Sequence, residues 1–325
     1  MKRNVPMLLL ALVLVLVLLL LLSVALRLGG VTEAPGATET QTQTETETQP
    51  APTETDPPPT QTQPAPTETD PPVTTPPITT NLYTYEELMA LENEKKGYGP
   101  GRTSDGKRAP YAVSDQAKYG DYGANFIAPD NGKIYLTFDC GYEYTATDAN
   151  GKKYRVTEKI LNILKEKNVK AVFFVTMPYV KEQADLVRRM IDEGHAVGNH
   201  TNNHPVMTDC SLEELEYEIM SLHNYVKEHF GYTMTLLRPP TGAFSTRTLA
   251  ATQNLGYKTV HWSFAYGDYD TDNQPDVSQS LDLVTRSHHS GAIYLLHAIS
   301  TTNATLLPDA IDFFLDKDYE LALFQ

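Results

Sequence analysis

From Lys133 onward, short apolar runs alternate with longer stretches that are apolar on one face. Lys133–Asp139 (KIYLTFD) and Lys170–Thr176 (KAVFFVT) are almost continuously apolar, as strands of a parallel sheet covered on both faces must be. His195–Thr201, Leu236–Pro239, Tyr257–Ser263, Gly291–His297 and Tyr319–Leu323 read as further short strands. Between them lie helical patterns. Tyr154–Lys167 sets Val156, Ile160, Ile163 and Leu164 on one face, and Pro178–Glu193 is stopped by Gly194. Ser211–Phe230 opens with Ser211 and Glu214 at capping-box spacing, and Ser245 caps a helix ending at Gly256. The pattern is a repeated βα unit filling residues 133–325, which is short for a full eight-unit barrel of about 250 residues. A closed or partly open barrel of six or seven units fits, with a doubly wound open sheet as the alternative.

The N-terminal pattern is different. Met7–Leu26 is an uncharged apolar run of 20 residues preceded by Lys2 and Arg3. As a helix it would cross roughly 30 Å, one hydrocarbon core, with its N-terminus in the cytoplasm. Residues 1–30 therefore read as a transmembrane signal-anchor, with a signal peptide cleaved near Ser23-Val24-Ala25 as the rival. Residues 31–80 are almost only Thr, Glu, Gln, Pro, Ala and Asp, and the decapeptide at 49–58 recurs at 63–72. Such a segment buries too little apolar area to offset its ordering entropy and reads as a disordered, extended linker. Both readings place the rest of the chain on the extracellular side of the cell membrane. Residues 81–132 form a lead-in, with a short amphipathic stretch at Tyr83–Lys96 followed by a Gly- and Tyr-rich region.

Charge narrows the partners. Of the chain's net −15, residues 31–80 contribute eight acids and no base, and residues 81–325 hold 33 acids and 23 bases. No segment has the basic footprint of a nucleic-acid binder. No Gly-rich phosphate loop follows the first strand, which weakens a nucleotide-binding reading.

The polar residues with chemical capability gather where the strands end. The first strand finishes in Asp139, the third in His200 and His204, the fourth in Arg238, the fifth in Trp262 running on to Asp268, and the sixth in His297. In a parallel α/β fold that end is where sites are built. One turn of helix would bring His200 and His204 to one side, an arrangement suited to a divalent metal. Asp139 and His297 would serve as base and acid on either side of a carbonyl. His195, His223, His229, His288 and His289 lack this placement and read as structural.

Five motifs, in order and at matching strand positions, resemble the polysaccharide deacetylase (NodB-homology) domain of carbohydrate esterase family 4. They are TFDCG, HTNNH, RPPTG, the Trp262–Asp268 stretch and Leu295-Leu296-His297. FDCGYE, HWSFAYGDYD and GAIYLLHAIS are similar to the branch acting on N-acetylmuramic acid of peptidoglycan. The resemblance implies a distorted (β/α) barrel over 133–325 and metal-dependent removal of acetyl groups from peptidoglycan strands. It makes Asp139 the general base, His297 the general acid, Arg238 the residue orienting Asp139, and Asp268 the residue tuning His297. His200 and His204 become ligands of a divalent metal, zinc by preference, and the Thr241 amide an oxyanion donor. Tyr142 and Trp262 become substrate-binding residues. Where the family usually has a second Asp, this chain has Cys140. Three readings stay open for it: a thiolate ligand, a spectator, or a disulfide partner of Cys210. An N-acetylglucosamine deacetylase, an acetylxylan esterase and a non-catalytic glycan-binding module are the rival functions.

Overall fold

The computed structural model describes residues 82–325. The expected membrane segment 1–30 and linker 31–80 lie outside the described residues. Among the described residues, no helix is long and apolar enough to cross a membrane.

In chain order the strands are β1 (Ala124–Asn125), β2 (Lys133–Cys140), β3 (Thr145–Thr147), β4 (Lys153–Arg155), β5 (Val172–Val175), β6 (Ala196–Asn199), β7 (Leu236–Leu237), β8 (Lys258–Val260), β9 (Ala292–His297) and β10 (Glu320–Leu321). β3 and β4 form an antiparallel hairpin, and the other eight make one parallel sheet ordered β1-β8-β7-β6-β5-β2. β9 pairs along β2 from Ile134 to Asp139, while β10 pairs only with Lys133 and Ile134. The apolar runs of β2 and β5 are buried throughout, apart from Lys133, because helices cover one face and the sheet curls over the other.

The curl brings the β8 side of the sheet round to β9. Beyond β8 the chain bends, and the Ser263 amide donates to the Ile293 carbonyl at 2.8 Å while the Leu295 amide donates to Phe264 at 2.9 Å. At the opposite end of β9, the Ala128 amide donates to the Gly291 carbonyl at 2.9 Å. The result is a curled parallel α/β half-barrel, as the alternation of elements predicts. The open doubly wound alternative is excluded by these contacts.

Most expected helices are present. Val156–Glu166 buries Val156, Ile160, Leu161 and Leu164, and Leu212–Phe230 has its capping box on Ser211 and Glu214. The expected Pro178–Glu193 helix is instead two, Met177–Glu182 and Ala184–Asp192, broken at Gln183 (φ −121°, ψ 40°). The lead-in is more ordered than its composition shows. It holds helices Tyr85–Ala90 and Pro110–Tyr119, the latter started by Pro110, and it supplies β1. Its Tyr98, Tyr119 and Phe126 pack with Phe244 in a cluster beneath the β7–β8 side of the sheet.

Gly291 is the tightest point of the seam. It has φ +76°, and a Cβ there would lie 2.4 Å from the Ala128 carbonyl oxygen and 2.6 Å from that of Pro129. Neither backbone group can move without breaking the seam. Gly291→Ala is therefore expected to cost about 2–4 kcal/mol, combining left-handed strain with overpacking. A urea or thermal unfolding midpoint equal to that of the unsubstituted chain would contradict this account.

Candidate active site

The C-terminal ends of β2, β6, β7 and β9, with the segment after β8, open onto a cleft of about 850 Å³. Asp139, His200, His204, Thr241, Trp262, Tyr142 and His297 all line it. Arg238 and Asp268 lie buried just behind its wall and reach its residues through hydrogen bonds.

Arg238 is fully buried, and each of its three guanidinium nitrogens donates a hydrogen bond. Nη1 donates to Asp139 Oδ1 at 2.8 Å, Nε to the Val260 carbonyl at 3.1 Å, and Nη2 to the His261 carbonyl at 3.1 Å. The guanidinium also lies over the Phe174 ring, 4.3 Å from its centroid. Burial alone would raise the pKa of Asp139. The Arg238 charge, aided by His200 and His297, outweighs that and holds the carboxyl below the usual carboxylate range. Asp139 is thus an anion with one oxygen held by Arg238 and the other, Oδ2, 3.6 Å from His200 Nε2.

His200 Nδ1 lies 2.8 Å from the Arg238 carbonyl oxygen, which can only accept, so Nδ1 carries the proton. Nε2 then presents its lone pair toward Asp139 and the cleft. Burial pushes the imidazole down to about 4, so it is neutral at physiological pH. The His204 ring is 4.8 Å from that of His200, at 77°. The two histidines do not share a helical turn, contrary to the spacing argument. Residues 200–204 form a tight loop in which Thr201 and His204 have φ of +68° and +58°. Two anchors hold that conformation. Asn199 accepts from the Thr201 amide at 2.8 Å, and Glu218 on helix Leu212–Phe230 accepts from the amide and the side chain of Asn203, both at 2.7 Å.

Cys140 is placed elsewhere. Strand alternation sends Asp139 to the cleft and its neighbour to the opposite face, where the Cys140 thiol is fully buried in the core beneath the helices. Burial there pushes the thiol well above its ordinary value. Both Cys140 and Cys210 are free thiols, so the disulfide reading is set aside. Among the described residues, no three His, Cys, Asp or Glu side chains converge as a ready cation site. The donor chemistry still suits a borderline-soft divalent cation: two neighbouring imidazoles, one with its tautomer fixed by a backbone carbonyl, beside a carboxylate. Water and substrate oxygens would complete such a shell.

On the other wall, His297 Nδ1 lies 2.7 Å from Asp268 Oδ1, and the His297 amide donates to Asp268 Oδ2 at 2.8 Å. Burial alone would lower the pKa of His297, but hydrogen bonding and charge from Asp268, with Asp139 adding to them, raise it above the ordinary histidine value. Asn303 also donates to Asp268 Oδ2 and to the His297 carbonyl, and Tyr266 donates to Asn303. Nothing in the sequence marks Asn303, since its partners lie far along the chain or at a helix start.

The floor of the cleft depends on a close approach. Gly242 (φ +70°) lies under the Trp262 ring, where a Cβ would come within 2.3 Å of it, and the preceding Thr241 has φ +60°. His261 was not singled out from the sequence. It is fully buried, stacks on Phe126 at 4.4 Å, and sets Nε2 3.3 Å from the Gly242 carbonyl. Tyr269, equally unmarked, is an exposed aromatic of the cleft wall, with its ring 5.8 Å from that of His297. The lead-in braces the same loops: Tyr98 donates to the Trp262 carbonyl at 2.6 Å, and Asn93 joins the Thr208 carbonyl to Ser245.

The arrangement therefore sets a carboxylate held low by Arg238, two imidazoles held low by burial and a third imidazole held up by Asp268 facing one volume. Asp268→Asn removes the charge that opposes burial at His297. Its imidazole signal, followed by NMR, is expected to titrate above the ordinary histidine range in the native chain and below it in the variant. Equal midpoints would show that Asp268 does not set the charge of His297.

Comparison with known proteins gives a consistent outcome. A sequence profile described as polysaccharide deacetylase matches residues 127–260. Over 179 residues the chain is 44% identical to the peptidoglycan-N-acetylmuramic acid deacetylase PdaA of Bacillus subtilis, covering 55% of this chain and 64% of that protein. It is 36% identical over 168 residues to a chitooligosaccharide deacetylase of Rhizobium leguminosarum bv. trifolii, covering 52% of this chain and 72% of that one. It is 33% identical over 193 residues to the peptidoglycan-N-acetylglucosamine deacetylase PgdA of Listeria monocytogenes, covering 59% of this chain but 38% of that one. The solved structure of B. subtilis PdaA, a family 4 carbohydrate esterase, superposes with a TM-score of 0.64 at 36% identity over 71% of this chain and 95% of that one.

Proposed function

The chain belongs to the polysaccharide deacetylase family, and on that premise we propose that it removes N-acetyl groups from peptidoglycan, acting on the N-acetylmuramic acid units. The observation that carries this reading is the pair of opposed counter-charges built into one cleft, buried Arg238 holding the carboxylate of Asp139 at 2.8 Å and buried Asp268 holding the imidazole of His297 at 2.7 Å. Amide hydrolysis needs both, a base for the attacking water and an acid for the departing amine. The muramic assignment draws on the likeness to PdaA and on the FDCGYE and HWSFAYGDYD stretches.

In this mechanism Asp139 takes a proton from a water molecule, whose oxygen attacks the acetyl carbonyl carbon. Arg238 keeps the carboxylate aimed and ionised for that step. The Thr241 amide donates to the oxygen that becomes negative, a contribution typically worth ~3 kcal/mol. A divalent cation, which zinc would suit, would be held by His200 and His204 and would supply Lewis acidity that makes the water more acidic and polarises the carbonyl. His297 gives its proton to the amide nitrogen as the C–N bond breaks, releasing acetate and leaving a free amine on the sugar. Tyr142 and Trp262 contact the sugar ring. Cys140, facing the core, takes no part.

The working form has Asp139 deprotonated and His297 protonated. Activity is therefore expected to fall in acid below the depressed pKa of Asp139 and in alkali above the raised pKa of His297.

Mass spectrometry of glycans treated with the full-length chain tests the reading. Acetyl loss is expected from muramic units of de-peptidated strands, abolished by a chelator, restored by added zinc, and reduced at least about a hundredfold by Asp139→Asn or His297→Ala. Loss only from glucosamine units or chitooligosaccharides would replace muramic acid as the substrate. No loss from any glycan with any metal would favour a glycan-binding module.

We also place the catalytic domain outside the cell, tethered through residues 31–80 by a single span within residues 1–30. The full-length chain should then sediment with membranes and resist a high-salt wash. Recovery of a shortened chain in the medium would instead indicate a cleaved leader.

A further inference from the structure

Beside the catalytic cleft lies a second cavity of about 990 Å³. Ala265 and Tyr266 line both, so the two adjoin. Its remaining walls come from residues 100–104 of the lead-in and from helix Val277–Arg286. These walls are fastened to each other, since the Asp105 amide donates to the Arg286 carbonyl at 3.0 Å and Gly106 forms a bridge with His289.

Most of the charged side chains in this cavity are already engaged. Asp276 caps the helix, accepting from the Gln279 amide at 2.9 Å, and Asp282 pairs with Arg286 at 2.9 Å. Arg102 is the exception: it makes no hydrogen bond or ion pair among the described residues. Among the described residues the catalytic cleft has no Lys or Arg in its lining, and each guanidinium nitrogen of Arg238 behind it already donates, to Asp139, Val260 and His261.

That distribution matters for an anionic glycan. A muramic unit carries a lactyl carboxyl group, either free or extended by a stem peptide with carboxylates of its own. The cleft holds His297 as a proton donor but no guanidinium of its own to grip a carboxylate, and among the described residues a guanidinium without a partner is available in the adjoining cavity. Resting on the function proposed above, we propose that Arg102 binds a carboxylate of the glycan substrate in this second cavity while the acetamido group occupies the cleft. A guanidinium suits the task because its planar fork can pair both carboxylate oxygens at once.

Kinetics of the full-length chain with Arg102→Gln and Arg102→Lys test this on three substrates: de-peptidated strands with free lactyl carboxylates, strands bearing stem peptides, and uncharged chitooligosaccharides. Arg102→Gln is expected to raise KM for carboxylate-bearing strands about three- to tenfold, with kcat unchanged and KM for chitooligosaccharides unmoved. The difference should shrink as salt rises, and Arg102→Lys should fall between. A response confined to de-peptidated strands identifies the lactyl group as the partner, and one confined to stem-bearing strands identifies the peptide. Equal effects on charged and uncharged glycans, or none on any, overturn the proposal. Binding of the same glycans read by the fluorescence of Trp262, the chain's single Trp and part of the cleft wall, separates the two levels. Arg102-dependent binding without acetyl release would sink the proposed function and leave this site standing.

Discussion

The structure turns on one buried ion pair. Arg238 leaves β7 with no exposure to solvent and joins three strands at once: Asp139 at the end of β2, the Val260 carbonyl at the end of β8, and its own place beside β6. Burying a charge is costly unless it is paired and its remaining donors are met, and here each arm of the fork has a partner. Removing either side would strand the other, a loss of about 3–5 kcal/mol for pairs of this kind. The same residue has a second effect through its backbone. Its carbonyl oxygen fixes the tautomer of His200, so one position sets both the charge of the carboxylate and the direction of the imidazole lone pair.

The opposite wall uses the same ingredients in reverse. At Asp139 the cation is buried and the carboxylate faces the cleft. At Asp268 the carboxylate is buried and the imidazole of His297 faces the cleft. Each buried partner is clamped by backbone or amide groups, so neither can relax when substrate enters. Burial opposes the charged form at both working groups, and in both the buried counter-charge wins. The two pKa values are therefore driven apart, which allows one site to hold a base and an acid at the same pH.

Much of this was legible in the sequence because it depends on short-range patterns. β2 and β5 are readable as apolar runs, and the C-terminal ends of β2, β6, β7 and β9 point to Asp139, His200, Arg238 and His297 without any knowledge of contacts. The position of Cys140 was also open to reading, since alternation along β2 places it opposite Asp139. What could not be read depends on long-range contacts. The 200–204 loop looks like a helical turn by spacing, and it takes left-handed backbone values instead because Asn199 anchors Thr201 locally and Glu218, on a helix further along the chain, anchors Asn203. The bend after Val260, which lets Phe264 meet β9, leaves no local signal. Neither does the lead-in's grip on Trp262 through Tyr98.

The distribution of charge adds a final constraint. The 81–325 region carries a net −10 and the working carboxylate must stay ionised, so an anionic polymer approaches against a repulsive field. A general basic surface would remove that repulsion, but it would also hold every acidic glycan in the wall and act directly on Asp139. A single guanidinium set beside the cleft avoids both effects. Screening at physiological ionic strength limits the repulsion to about 8 Å, so long-range steering is weak and discrimination falls to short-range contacts. A local cation then favours only those chains whose carboxylate reaches it while an acetamido group is seated between Asp139 and His297. Selectivity on such a surface comes from the spacing of two groups on the substrate rather than from overall attraction.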